Sequence, residues 1–325
     1  MTVRNVRGTI EKCLDSLERQ SLAEEFDIVV VDALSCDGTM EFLENSSLSN
    51  CRLRVYQRKS SQSEALQLAF RENYVDTEFV AMIDGDAVAD INWLAELMKS
   101  ADSGHDVVGG PCYTPNDVNL LQRLIGYDLD SRFARMSEGF TTRLPNMNLC
   151  VRRSIFSEIG FDTSLDIGYD MEFGHRLKKQ GRSIWFNPRA IVWHYHRSSF
   201  PAYVRQQVNA ADYAARVFRI HPTAMKGDNI NPLTMLVDAP LLGGFVLSAL
   251  LASLIPFSLV ISMVLLVAFG SSILAKTVES YLRFRRAEVL LLPVVYVLRP
   301  VCWAIGFSKG IAHLTRSRRA GRRMS

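Results

Sequence analysis

The sequence predicts an α/β domain, a mostly parallel sheet flanked by helices, followed by a C-terminal membrane part. Three observations carry this. A β-branched run, Ile28-Val29-Val30-Val31, lies between two helical patterns. Two acidic signatures, Ile83-Asp84-Gly85-Asp86 and Gly168-Tyr169-Asp170-Met171-Glu172, sit at predicted element ends. No Asp, Glu, Lys or Arg occurs from Ala239 to Ala275.

The elements follow in order. Ile10, Cys13, Leu14 and Leu17 recur at helical spacing within Thr9 to Arg19, so this helix lays one apolar stripe on a sheet. Ile28 to Val31 then reads as a strand buried on both faces. Asp37-Gly38-Thr39 turns the chain into a helix over Met40 to Leu43. A strand around Leu53 to Tyr56, a helix around Glu64 to Glu72 and the strand Phe79 to Ile83 come next.

The uncharged stretch is nearly long enough for two spans of about 20 residues, with Ile255-Pro256 as the reversal. Spans are expected near 236–254 and 257–275, which divides the chain into domains 1–232 and 233–325. Arg216, Arg219 and Lys226 precede the hairpin, and Lys276, Arg283, Arg285 and Arg286 follow it, so both ends are expected on the cytoplasmic side of a multi-pass protein. Val289 to Phe307 is apolar too, but Pro293, Arg299 and Pro300 interrupt it. An interfacial or re-entrant helix near 289–311 keeps the basic tail (Arg316, Arg318, Arg319, Arg322, Arg323) on anionic headgroups.

With 325 residues and 48% hydrophobic content the chain holds one large domain and an appendage. A net charge of +3 is too mild to indicate nucleic acid. The six cysteines show no CxxC pair and no zinc-like spacing with histidine, so free thiols are expected. Met1-Thr2-Val3-Arg4 leads into a polar segment without an apolar core, so no signal peptide is expected.

The acidic residues point to chemistry. Asp84 and Asp86 stand at the end of a buried strand, and two like charges so close repel unless a cation lies between them; Mg²⁺ or Mn²⁺ with a diphosphate suits such oxygen ligands. A lone Asp-Gly-Asp also suits a turn. Asp32 ends another buried strand, where sheets of this type open onto a ligand crevice. Asp37 suits ordinary turn and cap chemistry as well as a ligand contact. Asp170, at a helix N-terminus, suits a general base, with Glu172 in reserve or paired with Arg176 four residues on.

These motifs, with Arg4-Asn5, Val31 to Thr39, Pro145 to Arg153, Gly160-Phe161-Asp162 and Val192-Trp193-His194, resemble family 2 glycosyltransferases of GT-A fold, of the membrane-anchored kind that builds polysaccharides or lipid-linked glycans. The resemblance covers roughly residues 4 to 220. It implies a nucleotide-sugar donor, a divalent cation (Mg or Mn), a lipid-linked glycan or polyprenyl-phosphate acceptor, and inverting transfer. Asp32 would bond the nucleotide base, Asp84 and Asp86 form the DxD motif, and Asp170 is the base. His194 or His196 would reach the metal, although a histidine between Trp193 and Tyr195 also suits a packed residue. Asn146 and Asn148 resemble the acceptor-side segment, or else satisfy a loop. A polyprenyl-phosphate glycosyl synthase and an inactive membrane-tethered scaffold are the alternatives.

Departures from the family pattern are informative. Tyr169 stands where the family has a Glu, and Ser60 to Gln67 replaces a glycine-containing donor loop. The Gln/Arg-x-x-Arg-Trp motif of processive synthases is absent, which argues for adding a single sugar. In the family a full apolar strand precedes the Asn5 position and is central to the sheet, whereas here only Met1-Thr2-Val3 is available. An empty slot would expose ladder groups at a cost few domains with roughly 5–15 kcal/mol of net stability absorb. The expectation is that the chain starts upstream, or that another segment fills the gap.

Overall fold

A computed structural model describes residues 1–72 and 74–321, with side chains described through Thr315; Arg316, Arg318 and Arg319 lie beyond those side chains, and Arg322 and Arg323 lie outside the described residues. The elements run β1 (Thr2–Val3), α1 (Arg7–Glu18), β2 (Asp27–Asp32), α2 (Thr39–Glu44), β3 (Arg52–Gln57), α3 (Gln62–Arg71), β4 (Phe79–Met82), β5 (Ala87–Ala89), α4 (Trp93–Asp102), β6 (Val107–Gly109), β7 (Cys112–Tyr113) and α5 (Leu120–Phe133). They continue with β8 (Gly139–Thr141), β9 (Leu149–Arg152), α6 (Arg153–Ile159), α7 (Tyr169–Lys179), β10 (Ile184–Phe186), β11 (Val192–His194), α8 (Phe200–Ile220), α9 (Leu233–Leu251), α10 (Phe257–Phe284) and α11 (Leu292–Gly321).

The chain divides into two compact units, one of residues 1–115 and 133–195, the other of 116–132 and 196–325. Hydropathy sets the boundary near 232, but packing moves it. The buried face of α8 carries Tyr203, Ala211, Ala214, Ala215 and Val217, and Gly306 and Gly310 of α11 come so close to it that a Cβ on Gly306 would lie 2.1 Å from Val208 O.

In the first unit β1, β2 and β3 are parallel. The five-stranded sheet runs β4-β9-β6-β10-β8, and its β4/β9, β6/β9 and β10/β8 pairs are antiparallel. A third sheet, β5-β11-β7, is also mixed. The sheets are therefore more mixed than the strand–helix alternation implied. The strands from β5 to β8 have only two or three residues, too few for any alternation to show their direction. Ile10, Leu14 and Leu17 of α1 pack with Ile28 and Val30 of β2 and with Trp93 and Leu97 of α4 in one core.

Among the described residues of the second unit three helices are long and apolar enough to cross a membrane: α9, α10 and the stretch Ala287–Thr315, which takes in most of α11. α9 and α10 replace the expected 236–254 and 257–275 with longer or shifted ranges. The third helix is continuous over 30 residues instead of the expected 289–311. Pro293 lies in its first turn, where a missing N–H costs little. Arg299 is buried and donates to Asp128 Oδ2 at 2.5 Å, so protein rather than lipid surrounds its charge.

Candidate active site

β4 carries the chain to Asp84 and Asp86 on either side of Gly85. Glycine is needed there, because a Cβ would sit 2.7 Å from Val3 Cγ1. Asp86 leads into β5, whose pairing with β11 sets Ala87 opposite His194. His194 Nε2 consequently lies 3.2 Å from Asp86 Oδ1. Ligand atoms of Asp84, Asp86 and His194 all fall within 4.8 Å of one another, and His196 is not in that group.

Asp84 Oδ1 accepts from Gln62 Nε2 at 3.0 Å and from Asn146 Nδ2 at 3.5 Å. Burial, reinforced by the charge of Asp86, pushes the Asp84 carboxyl up to about 6. Two crowded carboxylates and an imidazole are hard, anionic donors that fit a divalent cation. Gln62 was not legible as a site residue. It sits in the first turn of α3, where Ser61 and Glu64 form a reciprocal capping box that starts the helix beside Asp84.

Asp32 is fully buried, and its carboxylate is committed to the adjoining loop. It accepts from Ser35 N at 3.0 Å, from the Ser35 hydroxyl, and from Gln57 Nε2 at 2.9 Å. Leu34, at φ 57°, and Asn5, at φ 55°, both hold a left-handed backbone that non-glycine residues seldom adopt. Asn5 ties the two segments together, since its N–H donates to Ser35 Oγ and its Oδ1 accepts from Cys36 N. Asp37 caps the turn by accepting from Arg7 N and Thr39 N.

Asp170 lies in the first turn of α7, with Arg143 Nη2 3.3 Å from its Oδ2. Tyr169 beside it is buried; burial, then Asp84 and Asp170, raise its phenol, so both carboxylates act on one ring. Arg143 is a second residue that sequence spacing did not reveal. It comes from the segment after β8, which crosses α7 so closely that a Cβ on Gly174 would lie 2.2 Å from Thr142 O.

Two expected acceptor-side residues have other employment. Glu172 is buried and paired with Arg176 at 2.7 Å, and Arg176 also donates to the carbonyls of Ile159 and Gly160. Asn148 is fully buried; it accepts from Trp93 Nε1 and donates to the carbonyls of Pro111 and Ala190, each at 2.8 Å. Asn146 alone of this set reaches the carboxylate group.

Residues 1–160 match the family model for glycosyl transferase family 2. Over 324 aligned residues, 94% of each chain, the protein is 29% identical to a dolichyl N-acetyl-alpha-D-glucosaminyl phosphate 3-beta-D-2,3-diacetamido-2,3-dideoxy-beta-D-glucuronosyltransferase of Methanococcus voltae. Its fold is similar to the mannosyltransferase PcManGT of Pyrobaculum calidifontis, solved with GDP-Man and Mn²⁺ (TM-score 0.55, 18% identity, 94% of this chain and 85% of that one). It is also similar to residues 1–349 of S. aureus TarS with UDP-GlcNAc (TM-score 0.51, 14% identity, 97% and 90%). Against a longer S. aureus TarS chain it spans 41% of the length. With its first 160 residues matching glycosyl transferase family 2, the chain is a glycosyltransferase of GT-A-like fold.

Proposed function

We propose that the protein transfers one sugar, with inversion, from a nucleotide-sugar donor to a lipid-linked sugar phosphate at the cytoplasmic face of a membrane. The Asp84–Asp86–His194 group, its ligand atoms within 4.8 Å of one another, is the observation that carries this reading. Mn²⁺ or Mg²⁺ held by those three side chains would supply charge neutralisation for the departing nucleoside diphosphate. Gln62 and Asn146 orient Asp84 through its Oδ1. Asp32, Ser35 and Gln57 shape the loop against which the nucleotide base lies. Asp170 takes the proton of the acceptor hydroxyl while the anomeric carbon is attacked from the face opposite the diphosphate. Arg143 orients the Asp170 carboxylate for that transfer.

The acceptor class is supported by the Methanococcus relative, whose name describes a glycosylated lipid phosphate as acceptor. That favours a lipid-linked sugar over bare polyprenyl phosphate. The three apolar helices would keep such an acceptor close. The test is nucleoside diphosphate release by purified protein in detergent, with a panel of nucleotide sugars and either polyprenyl-phosphate-linked N-acetylglucosamine or bare polyprenyl phosphate. Release with the glycosylated lipid, abolished by EDTA and restored by Mn²⁺ or Mg²⁺, is expected. Product from bare polyprenyl phosphate alone would make the protein a lipid-phosphate synthase, and no release with any donor would leave the scaffold reading. Full activity in EDTA would remove the metal assignment.

A further inference from the structure

Leu34 is held in a backbone conformation that does not suit a leucine. Its φ of 57° is left-handed, which crowds Cβ against the following carbonyl. Its side chain is 47% exposed, so apolar surface stands in water as well. Asn5 shares this region at φ 55°, but asparagine tolerates it, and the Asn5 Oδ1 is used to accept from Cys36 N at 2.9 Å. Leu34 has no hydrogen bond of that kind to offset its strain.

The neighbours impose the conformation. Ala33 N donates to Val3 O at 2.8 Å, and Ser35 N donates to Asp32 Oδ2 at 3.0 Å. With the residues on both sides fixed, Leu34 cannot relax into an extended backbone. Among the described residues the first unit exposes only two other large apolar side chains, Ile91 and Phe140. Ile91 follows β5 and Phe140 lies in β8, whereas Leu34 lies just past the carboxyl end of β2, where sheets of this type open onto a ligand crevice.

This position is tied to the metal group through one short stretch. Gln57 donates to Asp32, and Gln62, five residues on, donates to Asp84, so at most about 18 Å of chain separates the two ends. A nucleobase is flat and apolar on its faces, which matches a half-exposed leucine. The buried Asp32 carboxylate, by contrast, is committed to the loop.

We infer that Leu34 is the platform on which the donor's nucleobase lies, its strain retained because relaxing the backbone would withdraw the side chain from the base. The inference rests on the proposed transfer from a nucleotide sugar and adds to it a binding residue for the nucleoside. A contact with the face of the base serves purine and pyrimidine alike. It adds nothing to the hold on the phosphates.

The test separates stability from binding in the full chain in detergent. Leu34→Gly removes strain and side chain together, Leu34→Asn keeps a residue at ease in the left-handed region, and Leu34→Met keeps the apolar reach. Melting temperature is measured for each, with calorimetric affinity for UDP, GDP, CDP, ADP and inorganic pyrophosphate in Mg²⁺. Leu34→Gly and Leu34→Asn are expected to melt no lower than the unmodified protein. They should nevertheless bind the preferred nucleoside diphosphate about five- to tenfold more weakly, the scale of leaving half a leucine side chain uncovered. Leu34→Met should stay within about twofold, and pyrophosphate affinity should not change in any variant.

Unchanged nucleotide affinity in Leu34→Gly would overturn the inference. So would equal weakening of pyrophosphate, which would report a collapsed loop, or a lower melting temperature in both Leu34→Gly and Leu34→Asn, which would make the side chain a packing residue. An unmodified protein that binds pyrophosphate but no nucleotide would remove the proposed donor class, and this inference with it.

Discussion

Asp170 and Glu172 stand two residues apart on one helix, yet their surroundings assign them different work. Asp170 is partly open and held by one arginine, whereas Glu172 is buried under a guanidinium that also binds two carbonyls. Asp170→Asn is therefore expected to lower turnover by roughly 10²- to 10⁴-fold, the usual loss with a general base, while donor affinity measured by calorimetry stays unchanged. Glu172→Gln should instead lower thermal stability, since breaking one side of a buried pair costs about 3–5 kcal/mol. A dead but fully stable Glu172→Gln protein would reverse these assignments. The carboxylates were legible because apolar runs and helix starts precede them. Which histidine joins them was not, because His194 and His196 would lie on one face of an extended strand at i and i+2; β11 ends at His194, its pairing with β5 decides the matter, and a long-range register is invisible in local spacing. Gln62 and Arg143 were hidden for the same reason, each lying far along the chain from the carboxylate it contacts.

At the scale of elements, long and strongly periodic segments were legible to within a few residues. The stripe Ile10, Cys13, Leu14 and Leu17 is the buried face of α1, and the β-branched run is β2. The short strands were not legible, because two or three residues carry no period. Nor was the role of α5, whose charged residues are used inside the protein. Burial alone would raise the Asp128 carboxyl, but Arg132 and then Arg299 hold it down at about 2. Arg132 also donates to Ile230 O at 2.6 Å, so this cluster links α5, α11 and the segment before α9. Asp128→Asn would leave two buried guanidiniums without a counter-charge, and thermal unfolding in detergent should show a loss of about 3–5 kcal/mol. Replacing Arg299 by Met in the same protein should restore part of that loss. An unaltered melting temperature for the single variant would mean that water reaches the cluster.

For the whole molecule, the packing of α11 bears on how the C-terminal unit meets a bilayer. Arg299, Trp303, Gly306, Gly310 and His313 recur every three or four residues along one face of α11, each against protein. Arg299 meets Asp128, Trp303 Nε1 donates to Gln207 at 3.2 Å, the two glycines meet the backbone of α8, and His313 Nδ1 is 3.3 Å from Asp212 Oδ1. Of the apolar window in this helix 44% is buried in the protein, against 6% for α9, so its apolar surface needs lipid far less. A helix covered along one face by α8 and carrying Arg299 suits the interface better than the bilayer centre, where an arginine costs roughly 2.5 kcal/mol or more. On the proposed topology, in which only α9 and α10 cross, the basic residues on both flanks of the hairpin would keep both ends of the chain in the cytoplasm. On a background without native cysteines, Ser325→Cys should resist an impermeant thiol reagent in intact cells and react after permeabilisation. Labelling of intact cells would instead require α11 to cross, and the cluster around Asp128 would then lie within the membrane as the partner that makes its arginine tolerable.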